Sequence, residues 1–449
     1  MNQFASISIS IIDLDTDSVL ANINGKKTLM CASTAKLFST FSALEILGAN
    51  YKPETRFYMD GFIDSLGILQ GDLYIRGGGD VSLGSKYFNE EGSELDFMHV
   101  WMDALRSVGL HGVNGDLIVD GSEFGYAGVP DGWDWSDMGN YYGAGASGIN
   151  FYDNTVKYNF QTFGAGQKAK FLGTFPLDSD LTFRHTIKSA NIRNDQSYLY
   201  GAPYSQDRFG VGSLPSNRKE FIVKGSMHDP ESMLAKEFSD LLKDSTFYVL
   251  GQSKGFRLSA IAHVEYDSLN ILYTYKGERI QDIVGLTNLN SINLFAEGLL
   301  NLIGFKEKGM GSTNSGIKAV YEHLENKIDI SGMKLKDGSG LSRKNAVSAQ
   351  NFCALLSYIN QSKLNKSFRS SLAIAGKSGT LSNICRSQMA SGRVFAKSGT
   401  LSNVKAYAGY VNTLSGKNLA FAMIVNNFSG SRYKLVKQME LVFNAMASY

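Results

Sequence analysis

The sequence predicts an α+β fold: an antiparallel sheet flanked by helices, assembled from both ends of the chain and interrupted by a large β-rich insertion. Three observations predict it. The N-terminal stretch FASISISII alternates apolar and polar residues with period two, and VKAYAGYVN and NLAFAMIVNN near the C-terminus read as further strands. Helical periodicity appears right after the N-terminal strands and returns only after about residue 278. Between them, from about 57 to 265, the texture is short alternating segments punctuated by Gly and Asp.

Taken in order, residues 4–12 and 18–23 form a strand pair joined by the polar turn Asp13–Asp17. A helix is expected from Ser33, with Leu37, Phe38, Phe41, Leu44 and Leu47 on its apolar face and Gly48 placed to end it. Ser33 and Lys36 then lie three apart on one face of the first turn. Within the insertion, GILQGDLYIRG and GVNGDLIVDG read as strands, and 95–108 and 229–243 as the longer helices. Helices are expected at 278–304, 312–326 and 348–361, and a last helix, YKLVKQMELVFNAMAS, follows the C-terminal strands. The expected domains are therefore 1–56 with 266–449, and an inserted 57–265 with two nested parts, the outer one at about 160–225.

Bulk numbers exclude several classes. At 449 residues the chain exceeds one ordinary core. A net charge of +2 offers no field for a nucleic-acid backbone. No run of about 18 apolar residues exists, so no transmembrane helix is expected. The N-terminus reads as a strand rather than an export signal. Cys31, Cys353 and Cys385 have no metal-ligand spacing, and an odd count leaves room for at most one disulfide. The six histidines show no His-Glu-x-x-His, so neither a metal nor another cofactor is expected.

Three short motifs carry chemistry in combination: Ser33-Thr34-Ala35-Lys36, Ser291-Ile292-Asn293 and Lys397-Ser398-Gly399. Singly each is weak, since Ser216, Ser315, Ser331, Ser402 and Ser431 also precede a lysine by three. Ser33 stands apart because it opens an amphipathic helix after a strand pair. A desolvated, neutral Lys36 at that spacing accepts the Ser33 proton. The bland alternative is a helix-capping serine beside a solvated lysine. KSGTLSN occurs twice, at 377–383 and 397–403. The second copy runs into the alternating VKAYAGYV as a strand should, whereas Lys377 precedes loop-like ICRSQMASG, so Lys397 is preferred. Gly399 lets a substrate approach the strand backbone, Lys397 supplies positive charge, and the Thr400 N–H joins that of Ser33 as an oxyanion donor. A Ser-His-Asp site is disfavoured, because Gly338-Ser339-Gly340 is too short for a nucleophile elbow.

These motifs, with IIDLDTDSVL, GDLYIRGGGD, SINLFAE, KDGSGLSR and GKSGTLSN…SGRVFAKSGTLSNVKAYAGYV, resemble the low-molecular-mass class C penicillin-binding proteins. These are serine peptidases of the D-alanyl-D-alanine carboxypeptidase/endopeptidase type. The resemblance spans about residues 4–440 and implies a transpeptidase/β-lactamase-like catalytic domain with the insertion between the first two motifs. It implies Ser33 as nucleophile, Lys36 as base, Ser291 in the proton path, and Asn293, Lys397, Ser398, Gly399 and Thr400 binding substrate. It places Asp137, Arg343 and Ser402 near the free end of a stem-peptide diamino acid. Implied partners are peptidoglycan stem peptides and β-lactams as covalent inhibitors, in a periplasmic or otherwise extracytoplasmic setting. The alternatives are a β-lactamase or esterase on the same framework, and a silent peptidoglycan-binding scaffold.

Overall fold

The computed structural model describes residues 4–90, 92–125, 127–259, 261 and 263–449. The chain forms two compact units. One comprises the segment ending at Tyr51, Pro130–Gly132 and Arg279–Tyr449; the other comprises Lys52–Val129 and Trp133–Glu278. Strand Asn270–Lys276 pairs with Glu54–Ile63, which carries both strands into the second unit. The second unit thus contains the whole of the β-rich 57–265 stretch among the described residues, apart from Pro130–Gly132.

The first unit is built on an antiparallel sheet of β1 (Ser6–Asp13), β2 (Ser18–Ile23), β3 (Ala373–Ile374), β4 (Val394–Leu401), β5 (Val404–Asn412) and β6 (Asn418–Asn426). Their spatial order is β3-β4-β5-β6-β1-β2. Chain-distant β1 and β6 pair without a slip from Ser6↔Asn426 to Asp13↔Leu419. Strands β5 and β6 are buried almost throughout, so both faces of the sheet are covered. One face, with Tyr407, Phe421 and Met423, packs on α7 (Arg432–Ser448), whose Phe443 stacks edge-on against Tyr407 and Phe421. The other face carries the small residues Ala406, Ala408 and Ala422, and admits the close approach of α5 (Ala349–Gln361). Its Tyr410 hydroxyl donates to the Leu356 carbonyl at 2.9 Å.

Helix α1 (Lys36–Ile46) is buried on every side from Lys36 to Leu44, as a helix in the interior of a domain is. Phe38 packs on Phe352, and Phe41 on Tyr358 and Phe368. The helix starts later than expected, because Ala32–Ala35 is a 3-10 turn. The expected single helix over 278–304 is two, α2 (Ile280–Asn290) and α3 (Asn293–Lys308). They are separated at Ser291, which takes the left-handed conformation at φ 64° while its N–H still donates to Thr287 O. Helix α4 (Thr313–Leu324) and the short α6 (Asn365–Ser371) complete the unit.

The second unit has its own core. A mixed sheet with central strands Glu54–Ile63 and Ile68–Gly77 packs on helices Asp96–Ser107 and Pro230–Asp244, around Phe57, Trp101 and Phe238. It also carries a three-stranded sheet, in which Thr155–Gln161 lies between Lys170–Phe175 and Phe221–Ser226, and a four-stranded sheet around Asp207–Pro215. The three cysteines are free and buried, so no disulfide contributes. No helix among the described residues is long and apolar enough to cross a membrane.

Candidate active site

Residues from all three motifs meet in the first unit. Ala32 takes φ 48°, and the Thr34 hydroxyl donates to Cys31 O at 2.6 Å, which closes the 3-10 turn carrying Ser33. In a 3-10 turn side chains three apart eclipse, so Lys36, the first residue of α1, points back along Ser33. Its Nζ lies 3.0 Å from Ser33 Oγ. The same amine donates to Asn293 Oδ1 at 2.6 Å and to the Ser339 carbonyl at 2.7 Å.

Three acceptors thus surround the amine, a set that satisfies the ammonium and also accommodates the free base. A free lysine amine has two N–H donors and one lone pair, and the two carbonyl-type acceptors take both donors. In that free-base form the lone pair is left for the Ser33 hydroxyl, whereas the ammonium donates to it. Electrostatics move the balance toward the free base: Lys36 is wholly buried, and desolvation lowers it to about 7 against the upward pull of Asp337 and Glu297. Ser33 itself is half-buried.

Lys397 is also wholly buried, and its Nζ donates to Ser291 Oγ at 2.8 Å and to Ser398 O at 2.9 Å. Burial, with Lys36 and Lys405 nearby, holds it well below the usual lysine range. Its positive charge is thus disfavoured in the chain by itself, and an entering anion reverses that balance. Ser291 is placed to receive Lys397 by its left-handed backbone, a conformation costing a serine on the order of 1–3 kcal/mol. Gly399 is where β4 presses on the serine turn: a Cβ there would stand 2.7 Å from Cys31 O and 3.1 Å from Ser33 N. On its other side β4 is paired by β3 only at Phe395 and Ala396, which leaves Lys397–Leu401 as an edge without a strand among the described residues.

The two KSGTLSN copies differ in structure. Lys397 lies in β4, whereas Lys377 is exposed in a turn before the 3-10 segment Gly379–Leu381. They nevertheless touch, because Ser398 Oγ donates to Thr380 Oγ1 at 2.9 Å. Thr400 accepts from Lys405 Nζ at 2.8 Å. Ser402 lies in the exposed turn between β4 and β5, and Arg343 is exposed beyond Ser342. Asp137 belongs to the second unit, in helix Trp135–Met138, where it accepts from the Tyr142 hydroxyl at 3.3 Å.

Sequence reasoning missed the acid pair under the site. Glu297 and Asp337 are each 1% exposed. Glu297 accepts the N–H groups of Gly338 and Ser339, while Asp337 accepts those of Gly340 and Ser342 and the amide of Asn345. Burial raises Glu297, and the Asp337 charge adds to it. Together they shape the loop that presents Ser339 O to Lys36. The available signal was in SINLFAE and KDGSGLSR, each with an acid inside an apolar or glycine-rich setting. Among the described residues no group of three or more His, Cys, Asp or Glu is placed to hold a metal.

A family model described as D-Ala-D-Ala carboxypeptidase 3 (S13) matches residues 3–445. A D-alanyl-D-alanine carboxypeptidase of Actinomadura sp. (strain R39) is 29% identical over 436 residues, covering 94% of this chain and 78% of that protein. Penicillin binding protein 4 (dacB) of Haemophilus influenzae has the same fold, with TM-score 0.83 at 22% identity, covering 100% of this chain and 97% of that one. The same H. influenzae protein complexed with a β-lactam matches with TM-score 0.79 at 20% identity, over 100% and 97% of the two chains. With its family model matched almost end to end, the chain belongs to the D-Ala-D-Ala carboxypeptidase 3 (S13) family of serine peptidases.

Proposed function

We propose that the chain is a serine D-Ala-D-Ala carboxypeptidase with DD-endopeptidase capacity, acting on peptidoglycan stem peptides outside the cytoplasm through an acyl-enzyme on Ser33. The observation that carries this is the Lys36 amine, wholly buried, 3.0 Å from Ser33 Oγ and held there by Asn293 Oδ1 and the Ser339 carbonyl. Family membership supplies the bond class.

In this reading Ser33 Oγ bonds to the penultimate D-Ala carbonyl carbon as its proton passes to Lys36 Nζ. The Ser33 and Thr400 N–H groups hold the developing oxyanion. The C–N bond then breaks, and the leaving amine takes a proton delivered through Ser291. Water attacks the ester, with Lys36 again the base, and Ser33 is released. Lys397 receives the substrate carboxylate, whose charge favours the ammonium form against the effect of burial. Asn293 holds the substrate amide, and Ser398 and Gly399 line the β4 edge. Arg343 and Ser402 select the side chain of the third stem residue. A β-lactam acylates the same serine and leaves slowly.

The test is the intact mass after brief incubation with benzylpenicillin, with peptide mapping and a Ser33→Ala control. A persistent single adduct on the Ser33 peptide, absent in the variant, is expected. An intact lactam with no adduct overturns the catalytic reading. A consumed lactam with no adduct moves the assignment to a β-lactamase.

A further inference from the structure

The second unit contains a cavity of about 300 Å³ that the proposed chemistry at Ser33 does not use. Lys86, Lys157 and Lys224 converge on it, beside Glu94, Asp153 and the aromatic pair Tyr152 and Phe175. Lys157 and Lys224 are directly opposite each other on paired strands, and Phe175 is opposite Lys157 on its other side. The three side chains therefore form one row across a three-stranded sheet. Like charges directly opposite in a sheet are destabilising. Lys86 reaches Asp153 at 3.6 Å and Lys157 reaches Glu94 at 3.7 Å. Lys224 has no ion pair among the described residues, and burial together with Lys86 and Lys157 lowers its pKa.

The rest of the wall is equally costly. Tyr152, Asp153 and Asn154 are three consecutive non-glycine residues at φ 51°, 56° and 46°, each in the left-handed region. The turn they make stacks Tyr152 on Phe175, and Lys157 lies 5.1 Å above the Phe175 ring. The Tyr152 hydroxyl is buried without a hydrogen-bond partner among the described residues. Three ammonium groups against two carboxylates leave about one positive charge, which suits a monoanion better than a phosphate dianion. The carboxylates left beside it suit an amine or amide N–H, and the aromatic wall suits a small apolar group.

We infer that this cavity binds the free C-terminal carboxylate end of a short peptide, with Lys224 and Lys157 on the carboxylate and Phe175 against the terminal side chain. That the peptide is a cell-wall stem peptide rests on the function proposed above, and the cavity is then a second, non-hydrolytic site for it.

The experiment uses the full chain carrying Ser33→Ala, so that no peptide is turned over. Calorimetric titration with D-alanyl-D-alanine compares this background with the same protein carrying Lys224→Gln. Any binding at the Ser33 site is common to both, so their difference reads the cavity alone and does not depend on whether Ser33 is a nucleophile. Loss of one charge-assisted contact is expected to weaken binding there by about tenfold or more. D-Alanyl-D-alaninamide, which lacks the carboxylate, is expected to show no difference between the two proteins. An equal isotherm for D-alanyl-D-alanine in both proteins overturns the site. Inorganic phosphate binding with the same Lys224 dependence, and more tightly than the dipeptide, overturns the peptide assignment in favour of a phosphorylated ligand. Lys224→Gln is also expected to keep or raise the midpoint of thermal unfolding, since it relieves a like-charge pair. A large drop would make Lys224 a structural residue and overturn the binding role.

Discussion

At the scale of single residues, the chemistry turns on the protonation of Lys36. Burial lowers it from the ordinary lysine value to about 7, so the free base predominates above that pH and the ammonium below it. The base is needed to take the Ser33 proton. The rate of Ser33 acylation by benzylpenicillin is therefore expected to rise with pH through a midpoint near 7, falling about tenfold per unit well below it. Stopped-flow acylation across the pH range checks this, and a flat profile would remove Lys36 as base. Lys36→Arg gives a sharper case. A guanidinium stays protonated and has no lone pair to offer, so acylation is expected to fall by about 10²–10⁴. A variant acylating at the wild-type rate would show that another group takes the proton.

At the scale of elements, the site depends on backbone approaches that only glycine allows. Gly340 sits at φ 81°, and a Cβ there would stand 1.9 Å from Ala32 O and 2.9 Å from Ser33 N. Gly340→Ala is expected to cost about 1–3 kcal/mol in strain and to displace the Ala32–Ala35 turn. Acylation should then fall further than the loss of folded protein explains, which parallel urea unfolding and acylation rates on the same preparation would reveal. Helix α7 offers a contrast remote from the chemistry. Phe443 is fully buried between Tyr407 and Phe421, so Phe443→Ala is expected to cost about 3–5 kcal/mol in urea unfolding and to leave the acylation rate of the folded fraction alone.

The same elements show what could be read from sequence. Strands β1, β2, β5 and β6, and helices α1, α4, α5 and α7, lie within a few residues of their expected places, because each is an alternating, helix-periodic or continuously apolar run bounded by polar or glycine-containing turns. The break at Ser291 was not legible. Apolar periodicity continues across it, and only the tertiary demand that Ser291 meet Lys397 justifies a left-handed serine. The left-handed run Tyr152–Asn154 was hidden for the same reason, since none of its residues is glycine. The Ser33, Lys36 and Lys397 motifs were legible because their spacing is local and their order informative. The Glu297–Asp337 support was not, because a buried acid is recognised by what surrounds it.

At the scale of the whole molecule, the two units differ in how they hold together. The buried cluster around Phe57, Trp101, Phe160 and Phe238 draws all its members from the second unit, and the cluster around Tyr407, Phe421 and Phe443 draws all of its own from the first. A segment with its own hydrophobic core can fold alone, and one whose two ends lie close together is readily carried as an insertion. Here strands Glu54–Ile63 and Asn270–Lys276, near the two ends of the insertion, are neighbours in one sheet. Residues 52–278 expressed alone are therefore expected to unfold cooperatively, with near-ultraviolet circular dichroism from buried Trp101 and Tyr158, and to take up no benzylpenicillin. A broad, non-cooperative transition would mean that the insertion needs the catalytic unit to complete its core. A folded fragment that is acylated would locate a reactive serine outside the Ser33 site and overturn the assignment of the chemistry to the first unit.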